Sequence, residues 1–248
     1  DIGDILVKSH SNDRIHRINI ESSFLTGSFV GTGPVTSMPG EIQSLSTRRD
    51  LPALYAGSAA EPDGNEYNLE LSVHDATDIL SFIKPGLFIA DSTRIGVSVS
   101  KEGDVRMTLK SPRLAVGKNY LKDFRLNMDN SDGSLNGAAA CSEIAAAVLK
   151  LTDNTFTIFA NDNRFSLGYS YNNRGELGNK GSLNITGLLS GDPGKDIRVE
   201  GQVLPSSIRY NGEQWDIPAS RFMADEPAKN RASFTLTNEA ASTLLLSV

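Results

Sequence analysis

The side chains of this chain that could ligate a metal or supply a nucleophile are three histidines and one cysteine. His10 and His16 are six residues apart, a spacing that suits a metal pair on neither a helix nor a strand. His74 precedes Asp75, but adjacency in sequence does not make a catalytic triad. Cys141 follows three alanines and has no basic neighbour, which indicates an inert packed thiol. We therefore expect no catalytic residue, no metal site and no cofactor, and a protein that is not an enzyme.

Two further segments have partial likeness to binding motifs. Residues 127–133 are similar to a calcium loop, but Gly133 stands at the seventh position instead of the sixth, and Ala138 replaces the bidentate glutamate. Residues 31–33 lack the third glycine of a dinucleotide fingerprint, and Pro34 follows them. Both segments are therefore interpreted as turns.

Composition excludes some classes of partner. The chain has 248 residues, of which 39% are apolar, and its 30 acidic and 24 basic residues give a net charge of -6. An acidic chain offers no favourable field for phosphate backbones, so we expect no nucleic-acid partner. No apolar run approaches the roughly 18 residues of a bilayer-spanning helix. Because the chain starts without methionine and stops inside an apolar run, residues 244–248, we expect a piece of a longer polypeptide.

Short segments of alternating apolar and polar residues recur along most of the chain. Strict alternation predicts strands with one apolar and one polar face, and glycine-containing turns between them predict antiparallel hairpins. The segments are residues 68–73, 96–100, 104–110, 124–128, 165–171, 182–187, 197–203 and 233–237, and the turns are residues 102–104, 132–133, 174–175 and 211–212. The sequence therefore predicts an all-β fold, a long antiparallel ladder.

Other parts of the chain are less regular. Residues 75–84 predict a short amphipathic helix that ends at Pro85. Residues 142–151 are ambiguous, because their alanines favour helix while the flanking ladder favours strand; we interpret them as strand. Residues 1–60 predict an irregular N-terminal segment with a few strands, and residues 61–248 predict the ladder.

Three segments carry a resemblance to a known family. A short helix ending in proline, residues 78–85, precedes a hairpin, residues 94–110. Residues 109–114 then lead into residues 119–126, and residues 205–218 lead into residues 232–237. This order, over about three quarters of the chain, resembles the TamB family of the AsmA-like superfamily of Gram-negative envelope proteins. Residues 1–60 fit the pattern poorly.

The resemblance implies a β-taco, an open trough with an apolar interior and a polar outside. It implies a periplasmic location, with an inner-membrane anchor outside this piece of the chain. It also implies phospholipid transport to the outer membrane and a partner β-barrel that assembles outer-membrane proteins. The residue pattern agrees with a trough, because one or two short helices cannot cover so many one-sided strands.

The leading hypothesis is a hydrophobic groove that shields phospholipid acyl chains. A second hypothesis is a chaperone-like module that assists outer-membrane protein assembly by strand augmentation. A third is a plain secreted β-sandwich whose apolar faces pack on each other. The expected groove lining consists of the inward apolar positions of the predicted strands: Leu69, Leu71, Val73, Val97, Val99, Val105, Met107, Leu109, Phe124, Leu126, Met128, Phe165, Leu167, Tyr169, Leu183, Ile185, Val199, Val203, Phe234 and Leu236.

Overall fold

The computed structural model shows an all-β chain with two short helices. It describes residues 4–12, 14–54, 64–146, 149–174, 178–192, 197–210, 212–225, 233–238 and 243–247. The strands are β1 (Ile5–Ser11), β2 (His16–Ser22), β3 (Leu25–Gly31), β4 (Tyr67–Val73), β5 (Leu87–Ile89), β6 (Thr93–Val99), β7 (Val105–Val116), β8 (Asn119–Asp129), β9 (Leu135–Ala146), β10 (Leu149–Asn161), β11 (Arg164–Asn172), β12 (Lys180–Ser190), β13 (Arg198–Val203), β14 (Ser206–Tyr210), β15 (Glu213–Ile217), β16 (Ser220–Asp225), β17 (Ser233–Asn238) and β18 (Thr243–Ser247). The helices are α1 (Met38–Asp50) and α2 (Thr77–Ile83), and a 3₁₀ turn spans Pro52–Leu54.

Among the described residues, all strands belong to one 18-stranded antiparallel sheet. Neighbours in sequence are mostly neighbours in the sheet, from β1 to β18. Two places depart from this order. β6 pairs with β4 and β7, while β5 pairs with the far end of β7. The β14–β15 hairpin extends the sheet beside β12, and β13 pairs directly with β16. Within the described ranges β1 pairs only with β2 and β18 only with β17, so the sheet is an open ladder.

The structure confirms the strands that alternation predicts and the helix predicted at residues 75–84. The ambiguous residues 142–151 form the end of β9 and the start of β10, as predicted, although residues 147–148 lie outside the described part. Residues 1–60 contribute β1, β2, β3 and α1, and these strands continue the same sheet. The predicted turns at residues 174–175 and 211–212 lie partly outside the described residues.

The sheet is curled, and the position of α1 indicates the degree of its curvature. From β3 to β12 the ladder takes eight strand-to-strand steps. At about 4.8 Å per step this arc measures roughly 38 Å. Met38, the first residue of the 13-residue helix α1, packs against Phe29 on β3, and the 3₁₀ turn that follows α1 contacts β12. The helix and this turn span less than about 30 Å, at 1.5 Å per α-helical residue. The straight path along α1 and the 3₁₀ turn is therefore shorter than the path along the sheet, so the sheet bends around the helix.

The N-terminal half of α1 packs on the apolar face of the sheet. Its Met38 side chain joins Phe29, Tyr67, Val99 and Val105 in a buried cluster. The hydroxyl of Tyr67 donates a hydrogen bond to Glu41 Oε1 at 2.5 Å, which ties the helix to β4. Burial and this glutamate raise the pKa of Tyr67. One edge of the apolar face is therefore covered by the chain itself.

The C-terminal end of α1 is held by buried polar groups. The Asp50 side chain is fully buried, 3.5 Å from the Nδ2 of Asn130, and Asn130 Oδ1 accepts the Val105 N–H at 2.6 Å. The backbone carbonyl of Asp50 accepts the N–H of Asn163, whose side-chain oxygen accepts the N–H of Ala53. These bonds fix the helix end to strand ends from β7 to β11.

Candidate ligand-binding groove

Cross-strand pairing aligns the apolar side chains of the inner face into rows that run across many strands. One row crosses β4 to β12. It consists of Leu71, Ile95, Leu109, Leu126, Ala139, Phe156, Tyr169 and Leu183. A second row crosses β3 to β13. It consists of Phe29, Leu69, Val97, Met107, Met128, Gly137, Ile158, Leu167, Ile185 and Val203. The inner face is thus apolar without interruption along about ten strands.

The middle of these rows forms a cavity of about 420 Å³. Its floor lies on β9, where the inward side chains are small, at Gly137 and Ala139. Larger side chains rise on both sides, among them Leu126 and Met128 on β8 and Ile158 on β10. The Ile158 side chain leans over Gly137, where its Cγ2 takes the space of a Cβ atom, and the cavity lies between the larger side chains of these strands.

The groove is open and its lining is only partly covered. Phe156 is 37% and Leu167 is 40% exposed, values that are high for large apolar side chains on a concave face. By contrast, Val99 and Val105, on the same face next to α1, are buried at 3% and 5%. Burial therefore differs between parts of the inner face, which is packed on β6 and β7 next to α1 and more exposed on β10 and β11.

Glycines on the inner face make room for aromatic rings in neighbouring strands. A Cβ atom on Gly187 would lie 2.5 Å from Phe165 Cζ, and one on Gly181 would lie 2.5 Å from Tyr171 Cε1. The same arrangement places the Phe222 ring over Gly201. Rings that lie flat across a neighbouring glycine keep the inner surface apolar while reducing its height.

The outer face of the same strands is polar and carries ion pairs. Arg106 Nε lies 2.8 Å from Asp129 Oδ2, and hydrogen bonds from Ser131 lower the pKa of Asp129. Lys150 Nζ lies 2.8 Å from Glu143 Oε2 and, with the Tyr120 hydroxyl, lowers the pKa of Glu143. The sheet therefore has the two chemically different faces that alternation predicts.

Most of the expected lining residues have described side chains, and the register puts them on the inner face. Val73, Val97, Val99 and Val105 are buried there, and Leu167 is exposed. The side chains of Phe234 and Leu236 lie outside the described part. The remaining residues are half-buried: Leu69, Leu71, Met107, Leu109, Phe124, Leu126, Met128, Phe165, Tyr169, Leu183, Ile185, Val199 and Val203.

Sequence reasoning missed several residues of the cavity wall. Phe156 and Ile158 alternate with threonines, a strand signal that was present and could have identified them. Ala139 and Gly137 gave no such signal, because small residues contribute little to an alternation of hydrophobicity. Their role follows from the size of the side chains beside them.

The residues considered for chemistry lie apart from one another. The ring of His74 shares a hydrogen bond of 3.0 Å with the Thr26 hydroxyl, and its other nitrogen lies 3.8 Å from Asp91. Cys141 is buried on β9, and burial raises the pKa of its thiol. Within the described ranges, no group of three or more histidine, cysteine, aspartate or glutamate side chains could hold a metal ion. Across the same residues, no helix has the length and apolar character needed to cross a membrane.

Comparison with family models, with curated proteins and with solved structures found no match to this chain.

Proposed function

We propose that this chain binds phospholipid through its acyl chains, which lie in the apolar groove. The observation that carries the proposal is the open, half-exposed inner face with continuous apolar rows. A contiguous exposed apolar patch on a concave surface is typical of an interaction or ligand-binding site. The polar outer face and its ion pairs leave the inner face as the surface on which an apolar ligand gains most.

The energetics favour acyl chains over small ligands. Each methylene group that leaves water for an apolar surface contributes about 0.8 kcal/mol. A long, flexible, unbranched chain can follow a furrow that extends over many strands. The cavity wall is built mainly from leucine, isoleucine, methionine, alanine and aromatic side chains, and the Tyr169 hydroxyl in it already donates a hydrogen bond to Asn154 Oδ1. The groove is therefore suited to lipids as a class rather than to one lipid.

We further propose that the chain is a segment of a TamB-like, AsmA-like protein of a Gram-negative envelope, where it carries phospholipid between the inner and outer membranes. The order of the three sequence segments and the curled open ladder support this. An acyl chain that moves along the ladder exchanges one apolar row for the next, so the free-energy change per step is small. Transport by lateral movement then needs neither nucleotide nor metal.

A charge placed in the groove should test lipid binding. Replacing Leu126 with Asp puts a carboxylate in the cavity wall, whereas Asn127→Asp puts the same group on the outer face of the same strand. Native mass spectrometry of each purified protein would measure co-purifying phospholipid, and a fluorescent phospholipid would measure its affinity. We expect Leu126→Asp to lose most of the bound lipid and Asn127→Asp to retain it.

Two results would contradict the proposal. Absence of phospholipid from wild-type protein, with no binding of the fluorescent probe, would remove the lipid function. Binding of an unstructured strand peptide in place of lipid would favour the chaperone-like module. Circular dichroism of both variants is needed alongside, since loss of lipid counts only in a protein that keeps its β-structure.

A further inference from the structure

The β1–β2 hairpin carries a group of basic side chains on the outer face of the sheet. In the register of this hairpin His10 lies opposite Arg17, and Lys8 lies opposite Asn19. These four residues share one face, because side chains two residues apart along a strand point the same way. We call them the basic hairpin face. They line a pocket of about 410 Å³.

The turn of the hairpin is fixed by its own hydrogen bonds. Asn12 Oδ1 accepts the backbone N–H groups of Arg14 at 2.9 Å and Ile15 at 2.8 Å. The backbone of Asn12 also donates to the carbonyl oxygen of Ile15. These bonds set the strand register and therefore hold His10 and Arg17 side by side before any ligand binds.

No carboxylate of a described residue forms an ion pair with Lys8, His10 or Arg17. Glu21 is the acidic residue of β2 on this face. It lies diagonally across from Lys8 without forming an ion pair with it, and it lies four residues from Arg17, roughly 13 Å along the strand. Basic side chains placed directly opposite each other on two strands repel when both are charged. In a chain of net charge -6, this unneutralised group is a local exception.

We infer that the basic hairpin face binds a phosphate group. The guanidinium of Arg17 can donate two parallel hydrogen bonds to phosphate oxygens, and the ammonium of Lys8 adds a compact positive charge. The imidazole of His10 and the amide of Asn19 supply further donors across the pocket. The phosphate can be an inorganic ion or the headgroup of a phospholipid. This site lies on the face opposite to the groove and does not depend on the proposed function.

Removal of one cation from the face should weaken phosphate binding. The variants are Arg17→Gln and Lys8→Gln, and the control is Lys118→Gln, which removes the same charge from an exposed turn between β7 and β8. Isothermal titration with inorganic phosphate measures affinity, and ¹⁵N chemical shifts locate the site. We expect Arg17→Gln to lose about tenfold or more in affinity, with shifts in wild type confined to the hairpin. Lys118→Gln should bind as wild type does.

Vesicles distinguish the two sources of phosphate. Vesicles of phosphatidylglycerol in phosphatidylcholine should bind the wild type more than Arg17→Gln, and inorganic phosphate should compete, if the headgroup uses this site. If inorganic phosphate binds in the titration but does not compete with the vesicles, the site binds the free ion and not the headgroup. Equal binding by wild type, Arg17→Gln and Lys118→Gln in both assays would overturn the inference. The Leu126→Asp variant should still bind phosphate, so the phosphate site can be tested separately from lipid binding in the groove.

Discussion

At the scale of single residues, the buried carboxyl group of Asp50 makes the clearest prediction. Burial raises its pKa, and the nearby Arg49 and Asn130 oppose the rise only in part. A carboxyl group with a pKa raised by folding holds its proton more tightly in the folded state. Its contribution to stability is therefore present below the unfolded pKa and is lost as pH rises through the folded pKa.

Asp50→Asn should remove this pH dependence. We expect the free energy of unfolding of wild type, minus that of the variant, to fall as pH rises above the ordinary pKa of an aspartate. Urea denaturation over a pH series would measure it, with the exposed Asp132→Asn as control. If this difference in free energy of unfolding stays constant as pH rises, the pKa of Asp50 is the same in the folded and unfolded states, which would contradict the prediction.

Gly181 makes a prediction about steric fit. The three atoms nearest to a Cβ atom there all belong to the Tyr171 side chain. We expect Gly181→Ala to destabilise the protein by about 1 to 3 kcal/mol, and by much less in a Tyr171→Ala background. Denaturation of the two single variants and the double variant gives the coupling energy. Gly40→Ala is the control, because nothing lies within 4 Å of its Cβ position; additive effects of Gly181→Ala and Tyr171→Ala would contradict the contact.

At the scale of secondary-structure elements, α1 and the strands beneath it share one packed core. Phe29, on β3, is 3% exposed in this core, whereas its neighbour Val30 is 39% exposed on the other face. Phe29→Ala should cost about 3 to 5 kcal/mol through the cavity it leaves. Val30→Ala should cost less than about 0.5 kcal/mol. Thermal unfolding of both variants measures the contrast, and similar losses would mean that α1 does not seal this edge.

Alternation made the strands predictable, because one face meets an apolar interior and the other meets water. Residues 68–73, for example, correspond to β4 within one residue. The helix α1 was harder to predict. Its Pro39 and Gly40 usually signal a break, but proline is tolerated in the first helical turn. Its apolar side chains are also few, since only part of one side touches the sheet.

The groove was predictable as a face but not as a shape. Inward positions such as Leu126 and Leu167 follow from alternation within single strands. The shape of the cavity around Gly137 and Ala139 depends on which strands pair and in which register, and separate strand patterns do not contain that information. The curvature has the same origin, because it follows from contacts between α1 and strands far apart in sequence.

At the scale of the whole molecule, an open groove and a closed sandwich differ in how they tolerate charge. Leu167→Asp places a carboxylate at a position already 40% exposed. We expect cooperative unfolding to be retained, with a loss below about 1 kcal/mol. Val97→Asp places it at a position 6% exposed, where an unpaired charge is severely destabilising. Denaturation of both variants measures this, and equally severe losses would indicate a sandwich core.

The path of α1 across the curled sheet has a mechanical consequence. The curled sheet resembles an arch, and α1 connects its two sides as a rigid tie. The length of this tie sets the distance between the two sides. Hydrogen bonds fix the rise per residue of a helix, so the opening of the arch is set by the number of residues in α1 and by its two anchored ends. A bulky ligand in the groove would push the two sides of the sheet apart and pull on both ends of α1. The buried polar contacts of Asp50 would resist that pull. Because Asp50 and Asn130 join the end of α1 to the strand ends, widening the curved sheet would stretch the hydrogen bonds of these two side chains.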